Sequence, residues 1–371
     1  MSHLLNYTAK LLTRIVDFLL RKRSIAGVLV RAGVMIVIPT LAGGWVLGIV
    51  YRDAEHHIGL NLRTTDGIPG WVVLCVLVVG LLVLLSGVAI GVWDWWRERS
   101  AESKRKTIVV ELRGLHSSPD TPASTANIGL PKGSRDWQVV DFRPPSEGQL
   151  VDPDLALEKI SAVKRSVETA CGGRAKEDVT VALGGLAAVP CLFLIGMLFD
   201  DETNIIVYDW DRNQKVWRLT DDLDDDKGIL PLVLPSLLLG AKEVLLAVSA
   251  SYAVDENAIA RTFGSGMPVV HLRSEEMRAD RFWSAGKQQA FVEAFRNAVQ
   301  QLMEQGIERI HLVLVAPASL CIRMGMTYDR RLMPDLVVHQ YERTATPPYP
   351  WGFRMPTHGH RAAAVEWAAL S

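Results

Sequence analysis

Four turns of small and polar residues follow apolar, β-branched runs in the last two thirds of the sequence. They are residues 113–116 (RGLH), 184–185 (GG), 249–252 (SASY) and 316–319 (APAS). Ligands of open α/β sheets bind beyond the carboxyl ends of strands, close to helix N-termini. Small side chains let a phosphate approach backbone N–H groups, and serine, tyrosine and arginine add hydrogen-bond donors. The turns therefore favour an anionic ligand over the alternative, in which small residues serve tight packing alone.

The motifs of familiar catalytic and metal centres are missing from the sequence. It contains no G-x-x-x-x-G-K-[ST] loop, no G-x-S-x-G elbow and no H-E-x-x-H pair. The acidic run DDLDDDKG resembles part of a calcium loop, but Lys227 replaces the required glycine and Val233 the bidentate glutamate. We therefore predict a binding domain rather than an enzyme, with no metal and no cofactor.

Composition narrows the class of protein further. The net charge is -1 and charged residues make up 22% of the chain, so no global basic field predicts duplex nucleic acid as a partner. The four cysteines, Cys75, Cys171, Cys191 and Cys321, show no zinc-type spacing. We interpret them as reduced packing residues, which suits a cytoplasmic domain.

From about Thr107 onward, short β-branched runs alternate with amphipathic helical segments. KEVLLAVSAS and ERIHLVLV are the clearest strands, and residues 282–304 form the clearest helix. Such alternation predicts an α/β fold with a parallel sheet.

This region contains an internal repeat. The sequence VALGGLAAVPCLFLIGMLFD followed by NIIVYDWDR matches LVLVAPASLCIRMGMTYD followed by DLVVHQYER, with the helices offset by two residues. Each helix contains a glycine, Gly196 or Gly325, and each closing strand ends in an aromatic, an acid and an arginine. The repeat predicts two Rossmann-like units side by side.

Two long uncharged apolar runs, residues 32–51 and 71–93, lie in the first hundred residues. Each has the roughly 20 residues that a helix needs to cross a hydrocarbon core of about 30 Å. Basic residues concentrate before the first run and after the second, so the positive-inside rule predicts cytoplasmic termini and an external connector. Neither run contains an ionisable side chain, which argues against a transporter or a proton relay.

Glycine pairs with four-residue spacing occur in both runs: Gly44 with Gly48, and Gly87 with Gly91. Such pairs let helix backbones approach closely, within one hairpin or between subunits, although glycine is also simply common in membrane helices. The segment before the first run has the pattern of an amphipathic helix on the inner leaflet. The alternative is a helix packed on the soluble domain.

Residues 107–359 resemble the SAVED domain, a sensor built from two fused CARF-like Rossmann units. The strongest similarity lies in HLVLVAPASLCIRMGM and DLVVHQYER, which follow the family's order of apolar strand, A-P-[AS]-S-like turn, glycine-containing helix and closing strand. KEVLLAVSAS and MPVVHLR stand where the family has its earlier strands. In the first half, Gly184-Gly185 stands in place of the Ala-Pro turn.

The resemblance implies a receptor for a cyclic di- or trinucleotide second messenger of bacterial CBASS anti-phage defence. SAVED domains are usually fused to an effector, and here the membrane hairpin is the only other module. The implied site is at the carboxyl edges of the two units. The expected ligand-binding residues are Arg113, Gly184, Gly185, Ser249, Ser251, Tyr252, Ala316, Pro317 and Ser319, and the expected membrane-packing residues are Gly44, Gly48, Gly87 and Gly91.

The chain is thus similar to a two-transmembrane SAVED effector of the bacterial inner membrane, where ligand-driven homo-oligomers disrupt the bilayer and cause abortive infection. Two alternatives stay open: a membrane-anchored nuclease that degrades cyclic oligonucleotides, and a receptor that signals to another membrane protein. The predicted divisions are an amphipathic segment (1–31), spans at 32–51 and 71–93 around an external loop (52–70), a basic linker (94–106), and two CARF-like halves (107–240 and 241–371).

Overall fold

The computed structural model describes residues 24–41, 45–51, 58–64, 70–115, 129–146, 148–200, 204–220, 228–230, 232–234, 240–278 and 282–368. Most of the predicted amphipathic segment, Gly44 and the acidic run before Gly228 lie outside the described residues. The chain divides into two compact units, Met1–Ser103 and Lys104–Ser371.

The described residues of the first unit form two helices, α1 (Ile25–Leu41) and α2 (Gly70–Lys104), and an antiparallel pair of strands, β1 (Trp45–Tyr51) and β2 (Ile58–Thr64). Among the described residues, one helix, Trp71–Lys104, is long and apolar enough to cross a membrane. The second predicted span lies within α2, which continues through most of the predicted basic linker.

The predicted helix over residues 32–51 is wrong in its second half. The helix α1 begins earlier, at Ile25, and ends at Leu41, while residues 45–51 form β1. Pro39 lies in the last turn of α1 and two glycines follow the helix, and both residue types favour a helix end. The sequence WVLGIVY is rich in β-branched and aromatic residues, which suit a strand as well as a membrane helix.

Glycines line the contact between α1 and α2. A Cβ atom on Gly33 would lie 2.6 Å from the backbone nitrogen of Leu84, and one on Gly87 would lie 2.8 Å from that of Val30. Side chains at these positions would overlap the facing backbone, so glycine permits the close approach of the two helices.

The other predicted packing glycines have different surroundings. Gly91 is buried on α2, Gly48 lies in β1 opposite Asn61, and Gly44 is outside the described residues. Of the predicted glycine pairs, only Gly87 therefore has a described close contact within the hairpin.

The second unit begins with a half built on a five-stranded sheet of order β4-β3-β5-β6-β7, parallel except for β7. Its elements are β3 (Lys106–Arg113), β4 (Ser134–Asp141), α3 (Pro153–Cys171), β5 (Val179–Leu186), α4 (Val189–Leu198), β6 (Ile205–Asp211) and β7 (Val216–Leu219).

The second half has a six-stranded sheet of order β13-β12-β11-β10-β8-β9, in which β12 and β13 are antiparallel. Its elements are β8 (Glu243–Ser249), α5 (Glu256–Phe263), β9 (Val269–Arg273), α6 (Ala285–Glu304), β10 (Arg309–Val315), α7 (Ala318–Thr327), β11 (Asp335–Gln340), β12 (Trp351–Arg354) and β13 (Ala364–Trp367).

The two halves repeat one topology, which confirms the predicted pair of Rossmann-like units. The parallel strands follow the order β4-β3-β5-β6 in the first half and β9-β8-β10-β11 in the second. Gly196 and Gly325 each stand at the eighth position of their helix, α4 or α7. The helices therefore align without the predicted two-residue offset.

Helices α4 and α7 cross at these two glycines. A Cβ atom on Gly196 would overlap the carbonyl oxygen of Ile322, and one on Gly325 would overlap that of Phe193. The contact is reciprocal, because Phe193 and Ile322 each lie three residues before the glycine of their own helix. The repeated glycine thus joins the two halves by direct backbone contact.

One hydrophobic core extends through both halves around this crossing. Its members include Phe193 of α4, Phe295 of α6 and Tyr328 after α7. The ring of Phe193 lies 6.3 Å from that of Phe295 and 6.1 Å from that of Tyr328, both with edge-on geometry. The halves therefore share a core and form one compact unit.

A buried histidine pair lies between β10 and β11. Nδ1 of His311 is 3.0 Å from Nε2 of His339, and Nε2 of His311 is 3.4 Å from a carboxylate oxygen of Glu243. Burial, and then the neighbouring His311, lower the pKa of His339 to about 3. Burial also lowers the pKa of His311, against the opposing effect of Glu243.

Gly325→Ala is expected to reduce the free energy of unfolding by about 1–3 kcal/mol, because the added methyl group overlaps a backbone carbonyl that cannot rotate away. Thermal unfolding of the full chain in detergent measures the effect. Gly266→Ala is the matched control, since a Cβ atom there meets nothing within 4 Å. Equal melting temperatures for both variants would contradict a tight crossing.

Stability is expected to fall as the pH drops below about 6.5, the ordinary pKa of histidine. The folded-state pKa of His339 is depressed, so the unfolded chain binds more protons between pH 6.5 and about 3. The loss should be on the order of 2 kcal/mol at pH 5. Unfolding midpoints between pH 5 and 8 test this expectation, and His339→Gln should flatten the profile.

Candidate functional site

A cavity of about 280 Å³ lies at the carboxyl ends of the parallel strands, where the two halves meet. It is lined by both halves, as expected for a site at the carboxyl edges of paired Rossmann-like units. The described lining residues are Leu115, Leu186, Ala187, Val189, Leu192, Asp209, Trp210 and Arg212 from the first half, and Ser251, Tyr252, Phe282, Trp283, Val315, Ala316, Pro317 and Ala318 from the second.

The N-termini of α4 and α7 both reach this cavity. Ala188 and Pro317 are their N-cap residues, and neither side chain caps its helix. Helix N-termini carry partial positive charge, which favours phosphate nearby.

Each of these N-termini is capped by a side chain from the other half. The Oε1 atom of Gln340 accepts a hydrogen bond from the backbone N–H of Val189 at 3.0 Å, and Oδ2 of Asp209 accepts one from Ser319 at 2.9 Å. The closing strands β6 and β11 thus fasten the helix of the opposite half.

Asp209 is a carboxylate in the cavity wall with only 8% of its surface exposed. Burial raises its pKa, whereas hydrogen bonds from Ser319 and Trp210 and the nearby charge of Arg212 act in the opposite direction. The backbone N–H of Trp210 donates to Oδ1 at 2.8 Å. These bonds fix the orientation of the carboxylate.

Aromatic rings form much of the remaining wall. Tyr252 is 57% exposed, and Trp210 and Trp283 are half-buried. The guanidinium carbon of Arg218 lies 4.7 Å from the ring centroid of Trp283, and this cation–π contact holds the ring in place. Rings of this kind stack on nucleobases independently of base sequence.

The cavity can therefore bind a ligand that has both flat rings and negative charge. Arg212 is exposed and is the one cationic side chain among the described lining residues. Together with the helix N-termini it can hold phosphate, while the aromatic side chains hold bases. Within the described residues, no cluster of three His, Cys, Asp or Glu side chains could bind a metal.

Four of the nine predicted ligand-binding residues line the cavity. Ser251 and Tyr252 follow β8, and Ala316 and Pro317 connect β10 to α7. The structure thus brings together the third and fourth predicted turns.

Three other predicted residues do not line the cavity, and each of them has a hydrogen-bond or ion-pair partner. Nε of Arg113 pairs with the carboxylate of Glu111 at 2.8 Å, and the hydroxyl of Ser249 accepts a hydrogen bond from the backbone of Val254 at 3.1 Å. Ser319 is buried behind the wall, where it supports Asp209.

The predicted turn at Gly184 and Gly185 is part of β5 rather than a turn. A Cβ atom on Gly184 would overlap the ring of Tyr208, and Gly185, with φ of +156°, packs on the backbone of Leu112. These glycines serve close packing in the sheet. The counterpart of the Ala-Pro turn is Ala187-Ala188, directly before α4.

Sequence reasoning did not identify Asp209, Trp210, Arg212 or Trp283 as site residues. The first three lie in the YDWDR segment that marks the closing strand of the repeat, so their pattern indicated a strand. Trp283 falls in the predicted helix from residue 282, but α6 begins at Ala285, with Ser284 as its N-cap. That cap, which accepts a hydrogen bond from Lys287, was the available signal.

Solved structures with a similar fold include receptors described as Cap4 SAVED/CARF-domain proteins. The Acinetobacter baumannii receptor with the cyclic trinucleotide 2′3′3′-cAAA has 14% identity and a TM-score of 0.44, over 69% of this chain and 53% of that one. Another structure of the Acinetobacter baumannii receptor has 15% identity and a TM-score of 0.43, over 80% of this chain and 60% of that one. The Moraxella osloensis receptor has 15% and 0.40, over 75% and 54%.

The chain thus spans little more than half the length of these receptors, and the family assignment rests on sequence-family models instead. No curated protein sequence matches the chain significantly. The model for the SAVED-fused 2TM effector domain matches residues 2–157, which identifies a membrane-associated effector module. The model for SAVED, the SMODS-associated and fused to various effectors sensor domain, matches residues 163–355, more than half of the chain. The chain therefore belongs to the SAVED family, as a SAVED sensor fused to a 2TM effector domain.

Proposed function

We propose that the chain is a membrane effector of anti-phage defence in which a cyclic oligonucleotide, bound in the cavity between the halves, drives assembly and disruption of the inner membrane. The observation that carries this proposal is the composition of the cavity. Aromatic rings, one arginine and two helix N-termini meet there, and the two chemical parts of a nucleotide require this combination.

The size of the cavity supports assembly around the ligand. A volume of about 280 Å³ is at the lower end for small-molecule sites, and a ring of two or three nucleotides is larger than that. Part of the ligand would remain outside the cavity, where a second subunit can cover it. The ligand drives assembly to the extent that it binds the assembled state more tightly.

A basic turn at the far ends of α4 and α7 offers the complementary surface for head-to-tail contact. Asp329 orders this turn. Its carboxylate accepts a hydrogen bond from the backbone N–H of Arg331 at 2.8 Å, and its backbone carbonyl accepts one from the backbone N–H of Met333 at 2.9 Å. Arg331 is exposed and Leu332 is 72% exposed. The positive charge of Arg331 and the apolar side chain of Leu332 complement the phosphates and bases of a ligand in the cavity of the next subunit.

The hairpin has an apolar exterior and a glycine-lined interior. Met35, Ile38, Leu74, Leu82 and Leu85 are each between 58% and 61% exposed. Such outward side chains suit lipid or neighbouring hairpins. We place both termini in the cytoplasm of a bacterial cell, because basic residues flank the hairpin on that side.

Full-length protein in dye-loaded liposomes provides the test. Addition of cyclic di- and trinucleotides is expected to release dye with at least one ligand of the panel, and isothermal titration should detect binding of the same ligand. No release and no binding with any member would contradict the proposed function. Binding without release would restrict the hairpin to an anchor.

Trp283→Ala and Arg212→Ala are each expected to weaken binding of the active ligand at least tenfold, since they remove a stacking surface and a phosphate contact. Trp367→Ala and Arg296→Ala are matched controls, because both side chains are exposed outside the cavity. Similar losses in variants and controls would show that the cavity is not the site.

Arg331→Glu combined with Leu332→Asp is expected to abolish ligand-induced assembly while the fold stays intact, because both side chains are exposed. Light scattering coupled to size-exclusion chromatography in detergent measures the assembly. Lys242→Glu, a charge reversal on an exposed side chain elsewhere, is the control. Unchanged oligomers in the double variant would contradict the head-to-tail contact.

A further inference from the structure

The cavity wall contains one carboxylate among its described residues, Asp209, and this is an unusual neighbour for a polyanionic ligand. Its oxygens face fixed donors: the backbone N–H of Trp210 on Oδ1, the backbone N–H of Ser319 on Oδ2, and the hydroxyl of Ser319. An ionised carboxylate offers about four acceptor positions, so roughly one remains for a ligand.

The carboxylate cannot turn away from the cavity to accommodate phosphate. It occupies the N-terminus of α7, and Ser319 is held in turn by Nε2 of Gln288, which donates to the Ser319 hydroxyl at 3.0 Å and to the carbonyl of Phe282 at 2.6 Å. Gln288 is only 1% exposed. This buried network fixes both the carboxylate and the segment that carries Trp283.

These constraints divide the cavity into two chemical regions. Phosphates are repelled by Asp209 and belong at Arg212 and the N-terminus of α4. A base is the part of the ligand that can approach Asp209, and it must present an N–H donor there. A carbonyl oxygen at that point would face the carboxylate with both partners being acceptors, which costs far more than a lost contact.

We propose that Asp209 recognises the base of the cyclic oligonucleotide by accepting a hydrogen bond from an exocyclic amine, so that a base with this amine binds in preference to the same base without it. The inference rests on the proposed function, because it concerns the ligand of the same cavity. The other described lining side chains are aromatic, apolar, cationic or, in Ser251, a hydroxyl that can both donate and accept, so none of them requires a donor from the base.

The test compares matched ligands on the wild-type full-length protein by isothermal titration in detergent. Cyclic tri-AMP is paired with its purine-riboside analogue, and cyclic tri-CMP with its 2-pyrimidinone-riboside analogue, since each pair differs only by loss of the exocyclic amine. In the pair that binds, the amine-bearing ligand should bind at least tenfold more tightly. Equal affinities, or tighter binding of the ligand without the amine, would overturn the inference while the proposed function stands. Absence of binding by all four would overturn the inference, and the proposed function fails only if no cyclic di- or trinucleotide of the wider panel binds.

Asp209→Asn supplies the second arm. The neutral amide oxygen is a weaker acceptor than a carboxylate and the amide nitrogen cannot accept, so the preference for the amine should shrink to less than about threefold. Trp283→Ala is the comparison variant, because loss of stacking should weaken both members of a pair alike and leave the ratio unchanged. An unaltered ratio in Asp209→Asn would assign the selectivity to another residue. The wild-type comparison does not depend on how well either variant folds.

Discussion

The backbone contact between α4 and α7 is the constraint on which the sensor depends. At Gly196 and Gly325 each helix lies against a carbonyl oxygen of the other, so neither position can accept a side chain. Because each helix starts at the turn after the third strand of its half, the crossing brings both N-termini to the same edge. The cavity therefore belongs to neither half alone. The proposed ligand would contact the N-termini of both repeated units in this one described cavity.

Hydrogen bonds across the junction fix the orientation of the two helices, which packing alone would define less well. Gln340 of the second half caps α4, and Asp209 of the first half caps α7. Burying a carboxylate for this purpose is costly unless its oxygens are hydrogen-bonded, and here they are. The two caps differ in charge, so the pseudo-symmetric cavity has one neutral and one anionic cap. For the proposed nucleotide ligand, this difference would favour one orientation, with phosphate nearer α4 and a base nearer α7.

Much of the fold could be predicted from the sequence, because apolar periodicity and the repeat reflect burial, which is a property of each segment. The site could be predicted only in part, because the direction of a side chain depends on its neighbours in space. Ser249 and Ser251 are two residues apart, yet the first bonds to its own loop and the second lines the cavity. Arg113 had the right chemistry and position but pairs with Glu111. Gly184 resembled a binding turn, whereas its real constraint is the ring of Tyr208 from the next strand. The end of α1 was missed for a related reason, since β-branched and aromatic residues suit both strands and membrane helices.

The path of the chain connects this cavity to the membrane module. Helix α2 ends at Lys104 and β3 begins at Lys106, so Arg105 alone separates them. The carbonyl of Arg105 accepts a hydrogen bond from Ser134 at 3.1 Å, and Lys106 pairs with Asp136 at 2.8 Å, which fastens the start of β3 to β4. The other end of β3 leads through Gly114 to Leu115 in the cavity wall. Under the proposed function, so short a connection would couple assembly of the sensors to clustering of the membrane modules that they carry.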